Sequence, residues 1–139
     1  MTDTLERSQD LESLCYLETM FQEHGFDDGY RDGEKSGELE GRIFGCEKAY
    51  ELGREIGFYS GCVDSWTELA SLHPGKINPR ALRHMDVLRN MISEFPATNS
   101  PDADMYGLRD KMKNKMRVIT SLLNVQQKYV MAEPPKMTY

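Results

Sequence analysis

The sequence has no apolar run approaching the roughly 18 to 20 residues of a membrane span, and only 39% of its 139 residues are apolar. It is therefore expected to be soluble rather than integral to a bilayer. Cysteine is scarce. Cys15, Cys46 and Cys62 are too few and too unevenly spaced for a disulfide framework, and their odd number fits reduced thiols in a reducing compartment. The opening Met1-Thr2-Asp3-Thr4-Leu5-Glu6 is not a basic stretch followed by an apolar one, so neither a secretory signal nor an Arg-rich transit peptide is expected. The expected location is the cytoplasm, with the nucleus as a second one.

Positive charge is in deficit, with 17 Lys and Arg against 23 Asp and Glu for a net charge of −6. That balance argues against nonspecific nucleic-acid binding as the main activity, because phosphate contacts are driven by cations that release counterions. The charge is not evenly spread. Glu23, Asp27, Asp28, Asp32, Glu34, Glu38 and Glu40 cluster in the first third, and Arg109, Lys111, Lys113, Lys115, Arg117 and Lys128 in the last. Such regions are either solvated faces or surfaces that steer a partner.

Catalytic and metal-binding signatures are missing as well. The glycines are never two apart and no Gly-Lys-Ser or Gly-Lys-Thr follows them, so no loop is built to cradle phosphate. Cys-x-x-Cys and His-Glu-x-x-His do not occur, and His24, His73 and His84 are scattered, reading as surface or cap residues rather than ligands. The stretch from Asp28 to Asp32-Gly33 faintly resembles a calcium loop, but Tyr30 takes the third ligand position and Leu39 the twelfth. Cys46 and Cys62 read as packing residues, and Trp66 and the Met-rich faces as core. No metal, cofactor or enzymatic activity is expected.

What the sequence does have is glycine at every fourth position. Gly25, Gly29, Gly33, Gly37, Gly41 and Gly45 are followed in the same register by Ala49, Gly53, Gly57 and Gly61, which places nine of the eleven glycines on one register. No proline interrupts it, and the intervening residues are charged, aromatic and aliphatic. A flexible linker and a collagen-like repeat are thereby excluded. Helix remains. Four residues advance about 400°, so the stripe precesses about 40° per step and makes about one circuit over a rod about 54 Å long. A repeat longer than 3.6 winds right-handedly.

Each glycine inside a helix costs about 0.8 to 1 kcal/mol relative to alanine, so nine cost about 7 to 9 kcal/mol. That is comparable to the whole stability of a small domain, about 5 to 15 kcal/mol. Close approach of another helix backbone into the groove offsets such a loss through dense van der Waals contact and Cα–H···O bonds. Apolar residues flank the stripe on changing sides: Phe26 and Tyr30 one residue after a glycine, Leu39 and Ile43 two after, Phe44, Leu52 and Ile56 three after. Two fillings are open, the chain's own later helices or a second chain.

Those later helices can be placed coarsely. Ser8 is a candidate N-cap for Leu11, Leu14, Cys15, Leu17, Met20 and Phe21, a segment expected to run on into the glycine helix. Val63, Trp66, Leu69 and Leu72 continue the period until His73-Pro74-Gly75 stops it. Asn78 and Pro79 open a second helix whose face is Leu82, Met85, Leu88, Met91, Ile92 and Phe95, before Pro96. Ser100 and Pro101 are expected to open a third, with Met105, Leu108, Met112, Met116, Ile119, Leu122 and Leu123 on its face and its end near Asn124. At about 26 and 36 Å these helices cover only part of the turning groove, so a second chain is expected. The predicted fold is all-α, a long glycine-striped helix followed by two shorter ones. One helical domain is expected over residues 1–124, with a flexible C-terminal tail over 125–139 carrying Pro134-Pro135.

The run from Gly25 through Gly61, with Trp66 and the later Ser121-Leu122-Leu123-Asn124-Val125, resembles the deca-Gly-x-x-x family, closest to its oral cancer-overexpressed protein branch. The resemblance implies a non-catalytic adaptor in the maturation of cytosolic iron-sulfur proteins. It implies pairing with a second, Yae-type deca-Gly-x-x-x protein through the glycine groove, and recruitment of one client, the subfamily E ATP-binding cassette ATPase that recycles ribosomes. It further implies docking on the cytosolic iron-sulfur targeting complex through the extreme C-terminus. There Met137 fits the family's aliphatic position and Tyr139 keeps an aromatic ring beside the carboxylate, while Thr138 departs from the acidic or Ser residue expected. A different reading of the basic third helix is a ribosome-associated assembly factor that contacts RNA or ribosomal protein.

Overall fold

The computed structural model describes residues 2–131, with side chains from residue 7 onward. It is built from three helices, α1 Thr2–Leu72, α2 Pro79–Ser93 and α3 Met105–Leu123, and no strand occurs among the described residues. The all-α class and the order of one long and two shorter helices are as the sequence predicts. Among the described residues no helix is long and apolar enough to cross a membrane. The chain divides by its internal contacts into two units, Met1–Glu47 and Lys48–Tyr139.

Helix α1 runs for 71 residues because nothing in its sequence stops it. All six prolines lie at position 74 or later, and a proline is what both removes an i→i−4 bond and clashes with the preceding turn. Ser8 is therefore not a cap, since the helix already includes Thr2 and no glycine or proline separates the two. The helix stops at Pro74, which disfavours helical backbone in the residue before it. Gly75 then takes φ +83°, and the Lys76 N–H closes a turn on the His73 carbonyl at 3.2 Å.

Asn78 caps α2 as expected, its side chain accepting from the Arg80 N–H at 2.9 Å with Pro79 at the first helical position. The helix is 15 residues long and ends short of Phe95, because Pro96 pulls its predecessor out of the helical region. The start of α3 differs from the sequence expectation. Ser100 and Pro101 form a turn, the Ala103 N–H bonding to the Ser100 carbonyl at 3.2 Å, and the N-cap is Asp104, whose carboxylate accepts from the Gly107 N–H at 2.9 Å. Asp104 supplies an acceptor and a negative charge to the positive end of the helix, which Ser100 does not match. The third helix is thus 19 residues, beginning at Met105 rather than at Ser100-Pro101. It ends at Asn124 in the left-handed region, φ 55°, with the Val125 N–H reaching back to the Thr120 carbonyl at 3.0 Å, a Schellman-type closure.

In the unit from Lys48, one core joins all three helices. Tyr59 and Val63 of α1, Ala81, Met85 and Leu88 of α2, and Met112, Met116 and Ile119 of α3 are buried together. The spacings 81, 85, 88 and 112, 116, 119 are the i, i+4, i+7 pattern of one helical face. Trp66, Leu82, Met91, Ile92 and Phe95 pack on it from the margin. Arg89 of α2 reaches α1 at Asp64 (3.3 Å) and Thr67 (3.0 Å). After α3, Val125–Met131 has no regular structure, but it is not without anchorage. The Tyr129 ring lies 5.6 Å from that of Phe58 and packs on the core.

Candidate functional site

Both glycines outside the register have local reasons. Gly75 needs its positive φ, and a Cβ at Gly107 would clash with the capping Asp104 carboxylate. The nine glycines of the register have none. All are exposed, Ala49 with them, and a Cβ added at any of the nine meets nothing within 4 Å. No backbone constraint and no contact among the described residues accounts for the lack of side chains there.

In the unit from Lys48 the reason the groove stays open is angular. Leu52, Tyr59 and Val63 are buried and fall within about 40° of one another at 100° per residue, whereas Gly53, Gly57 and Gly61 centre about 140° away. The bundle uses one side of α1, and the glycines lie on the other. Filling of these three positions by α2 and α3 is thereby excluded.

The unit Met1–Glu47 consists of α1 alone. Its large apolar side chains are bare: Leu14 is 62% exposed, Phe21 71%, Phe26 72%, Tyr30 69% and Leu39 60%. Arg31 pairs with Asp28 and Arg42 with Glu38 within the helix. Exposed pairs of that kind contribute little.

A second feature lies wholly within the unit from Lys48. A cleft of about 1090 Å³ is lined by Glu55 and Tyr59 of α1, by the Arg109, Lys113 and Arg117 side of α3, and by Val125–Met131. On its floor the Tyr59 hydroxyl donates to Glu55 Oε1 at 2.5 Å, and Glu55 Oε2 faces the Arg109 guanidinium at 3.7 Å. Burial, and then the neighbouring Glu55 carboxylate, hold the Tyr59 hydroxyl well above the ordinary phenol range. The Tyr129 hydroxyl is buried without a hydrogen-bond partner among the described residues. Glu55 and Tyr129 are functional candidates that sequence reasoning missed. The i, i+4 spacing of Glu55 to Tyr59 within a buried register was the available signal for the first, and nothing local signalled the second.

The remaining residues that the sequence singles out are not gathered into a site. His24 and His73 are exposed, and His84 Nδ1 lies 3.4 Å from Lys115 Nζ. Among the described residues no group of three or more His, Cys, Asp or Glu is placed to hold a metal ion. Met137, Thr138 and Tyr139 lie outside the described residues. The three cysteines are free thiols, Cys15 and Cys46 exposed and Cys62 half-buried. Burial pushes the Cys62 thiol up from its ordinary range, which lowers its thiolate fraction. Iodoacetamide followed by peptide mass mapping is expected to modify Cys15 and Cys46 about tenfold faster than Cys62 at neutral pH; equal rates would contradict this placement.

Residues 25–63 match the family model described as Essential protein Yae1, N terminal. The match covers the whole glycine register and stops short of α2. No curated protein matches the chain, and no solved structure does.

Proposed function

We propose that this chain is a non-catalytic adaptor, of the oral cancer-overexpressed branch of deca-Gly-x-x-x proteins, that pairs through α1 with a Yae-type deca-Gly-x-x-x partner. The groove from Gly25 through Gly61, Ala49 included, receives the partner's helix. The pair recruits the subfamily E ATP-binding cassette ATPase to the cytosolic iron-sulfur targeting complex, acting in the cytoplasm and the nucleus. Met137, Thr138 and Tyr139 supply the tail that docks on that complex.

The observation that carries this reading is a helix with open glycines, bare aromatic and aliphatic side chains, and no second element in its unit. Six of the register glycines fall before Glu47, a penalty of about 5 to 6 kcal/mol. Helices of proteins owe most of their stability to packing of a face. A second polypeptide laid along the stripe supplies that packing, and the similarity of residues 25–63 to the Yae1 N-terminal segment supports an adaptor-type role. Small residues let two backbones approach closely, and a polar surround confines the pairing to water-exposed helices.

Affinity purification of the full chain is expected to recover the Yae-type partner together with the recycling ATPase. Deleting Met137 to Tyr139 is expected to lose the targeting complex while keeping the other two. Recovery of the targeting complex by the truncated chain removes the tail from the reading, and absence of the Yae-type partner removes the reading itself.

A further inference from the structure

The cleft beside α3 has no part in the pairing just proposed. Four of its lining side chains are cationic, Arg109, Lys113, Arg117 and Lys128, against one carboxylate, Glu55. This is a positive site in a chain of net charge −6. Glu55 is already engaged by Tyr59 and Arg109. Arg109 is held by the Asp110 carboxylate at 3.0 and 3.1 Å as well, which leaves Lys113, Arg117 and Lys128 as the lining cations without an ion-pair partner among the described residues. Three cations lining one space without an ion-pair partner among the described residues form a site suited to an anionic occupant.

The spacing narrows the occupant. Lys113 and Arg117 are four apart on α3, so they lie about 6 Å apart along the helix. Alternate residues of an extended peptide are about 6.6 Å apart on one face. The same cleft is lined by Val125–Met131, which has no regular structure, and beyond the Val125 N–H its backbone makes no hydrogen bond to another backbone group among the described residues. An extended peptide fits between them, with carboxylates toward α3 and amides toward Val125–Met131. Single-stranded RNA fits less well despite its regular charge. Bases need open aromatic faces on which to stack, but Tyr59 is 2% exposed and the Tyr129 ring is turned against Phe58.

We propose that this cleft binds an extended acidic peptide segment of a partner protein, with carboxylates at alternate positions on Lys113 and Arg117, and with Lys128 as a further cation in the same lining.

The test uses the full chain and a fluorescein-labelled peptide of alternating Ser and Glu, with an alternating Ser and Gln peptide and a short oligouridine RNA of equal length as comparisons. Fluorescence anisotropy is expected to show saturable binding of the Glu peptide that weakens as salt rises from about 50 to about 200 mM. The exposed pair Lys113→Glu with Arg117→Glu is expected to weaken it about tenfold or more at unchanged circular dichroism, and Lys128→Glu provides an independent variant outside the helices. The proposal is overturned if the Glu peptide binds no better than the Gln peptide, if the charge reversals leave its affinity unchanged, or if oligouridine binds more tightly through the same residues.

Discussion

Replacing Gly41 and Gly45 with leucine is expected to abolish pairing with the Yae-type partner while making the isolated chain more helical. The two effects have opposite signs because they come from different physics. In the lone chain a Cβ at either position meets nothing within 4 Å, so leucine adds only its better helix propensity. That gain is about 0.8 kcal/mol per site, or about 1.5 kcal/mol for the pair of substitutions. In the proposed complex the same side chains would hold two helix backbones apart, and the dense contact that offsets the glycine penalty would be lost. Circular dichroism of the purified chain reads the first effect and co-purification of co-expressed proteins the second. A variant that gains helicity and still pairs would remove Gly41 and Gly45 from the interface.

Leu88→Ala is expected to destabilise the three-helix core strongly. Leu88 is 0% exposed at the junction of all three helices, and truncating such a leucine costs about 2 to 5 kcal/mol through lost transfer energy and the cavity left behind. For a domain of about 60 to 100 residues each kcal/mol is worth about 4 to 8 °C, so the melting temperature should fall by about 10 °C or more. Its neighbour Val87 is 44% exposed, and Val87→Ala is expected to change stability by no more than about 0.5 kcal/mol. Thermal melts of the two variants side by side distinguish a core position from a surface one. Equal shifts would mean that Leu88 is not where the three helices meet.

Where local chemistry decides a boundary, the sequence was sufficient. Pro74-Gly75, Asn78-Pro79 and Asn124 each combine a residue that cannot continue a helix, or that caps one, with an apolar period beginning or ending beside it. Ser100-Pro101 looks the same as Asn78-Pro79, yet Asp104 won as the cap because it lies immediately before the residues that turn toward the core. The buried faces of α2 and α3 followed from spacing, though Ala81 went unnoticed because a small side chain carries little hydrophobic signal even when it is 0% exposed.

The glycine register was readable as a helix stripe, and what the sequence left open was its filling by the chain's own helices. That depended on which side of α1 the core takes, a consequence of Leu52, Tyr59 and Val63 meeting two helices far along the chain. The cleft was not legible for the same reason. Glu55, Arg109 and Tyr129 are more than 50 and then 20 positions apart by their numbers, and only the packed helices bring them to one space. Tyr129 in particular reads as tail beside Pro134-Pro135, whereas its ring is held on Phe58.

Amide hydrogen exchange on the purified full chain, with and without the Yae-type partner, tests the central claim most directly. Alone, the amides of Gly25 through Glu47 are expected to exchange with little protection while those of Met85, Leu88, Met112 and Ile119 are slow; adding the partner should protect the first group by orders of magnitude. If the monomer by itself protects Gly25 through Glu47 as strongly as the core of α2 and α3, the glycine helix needs no neighbour, and the account is contradicted.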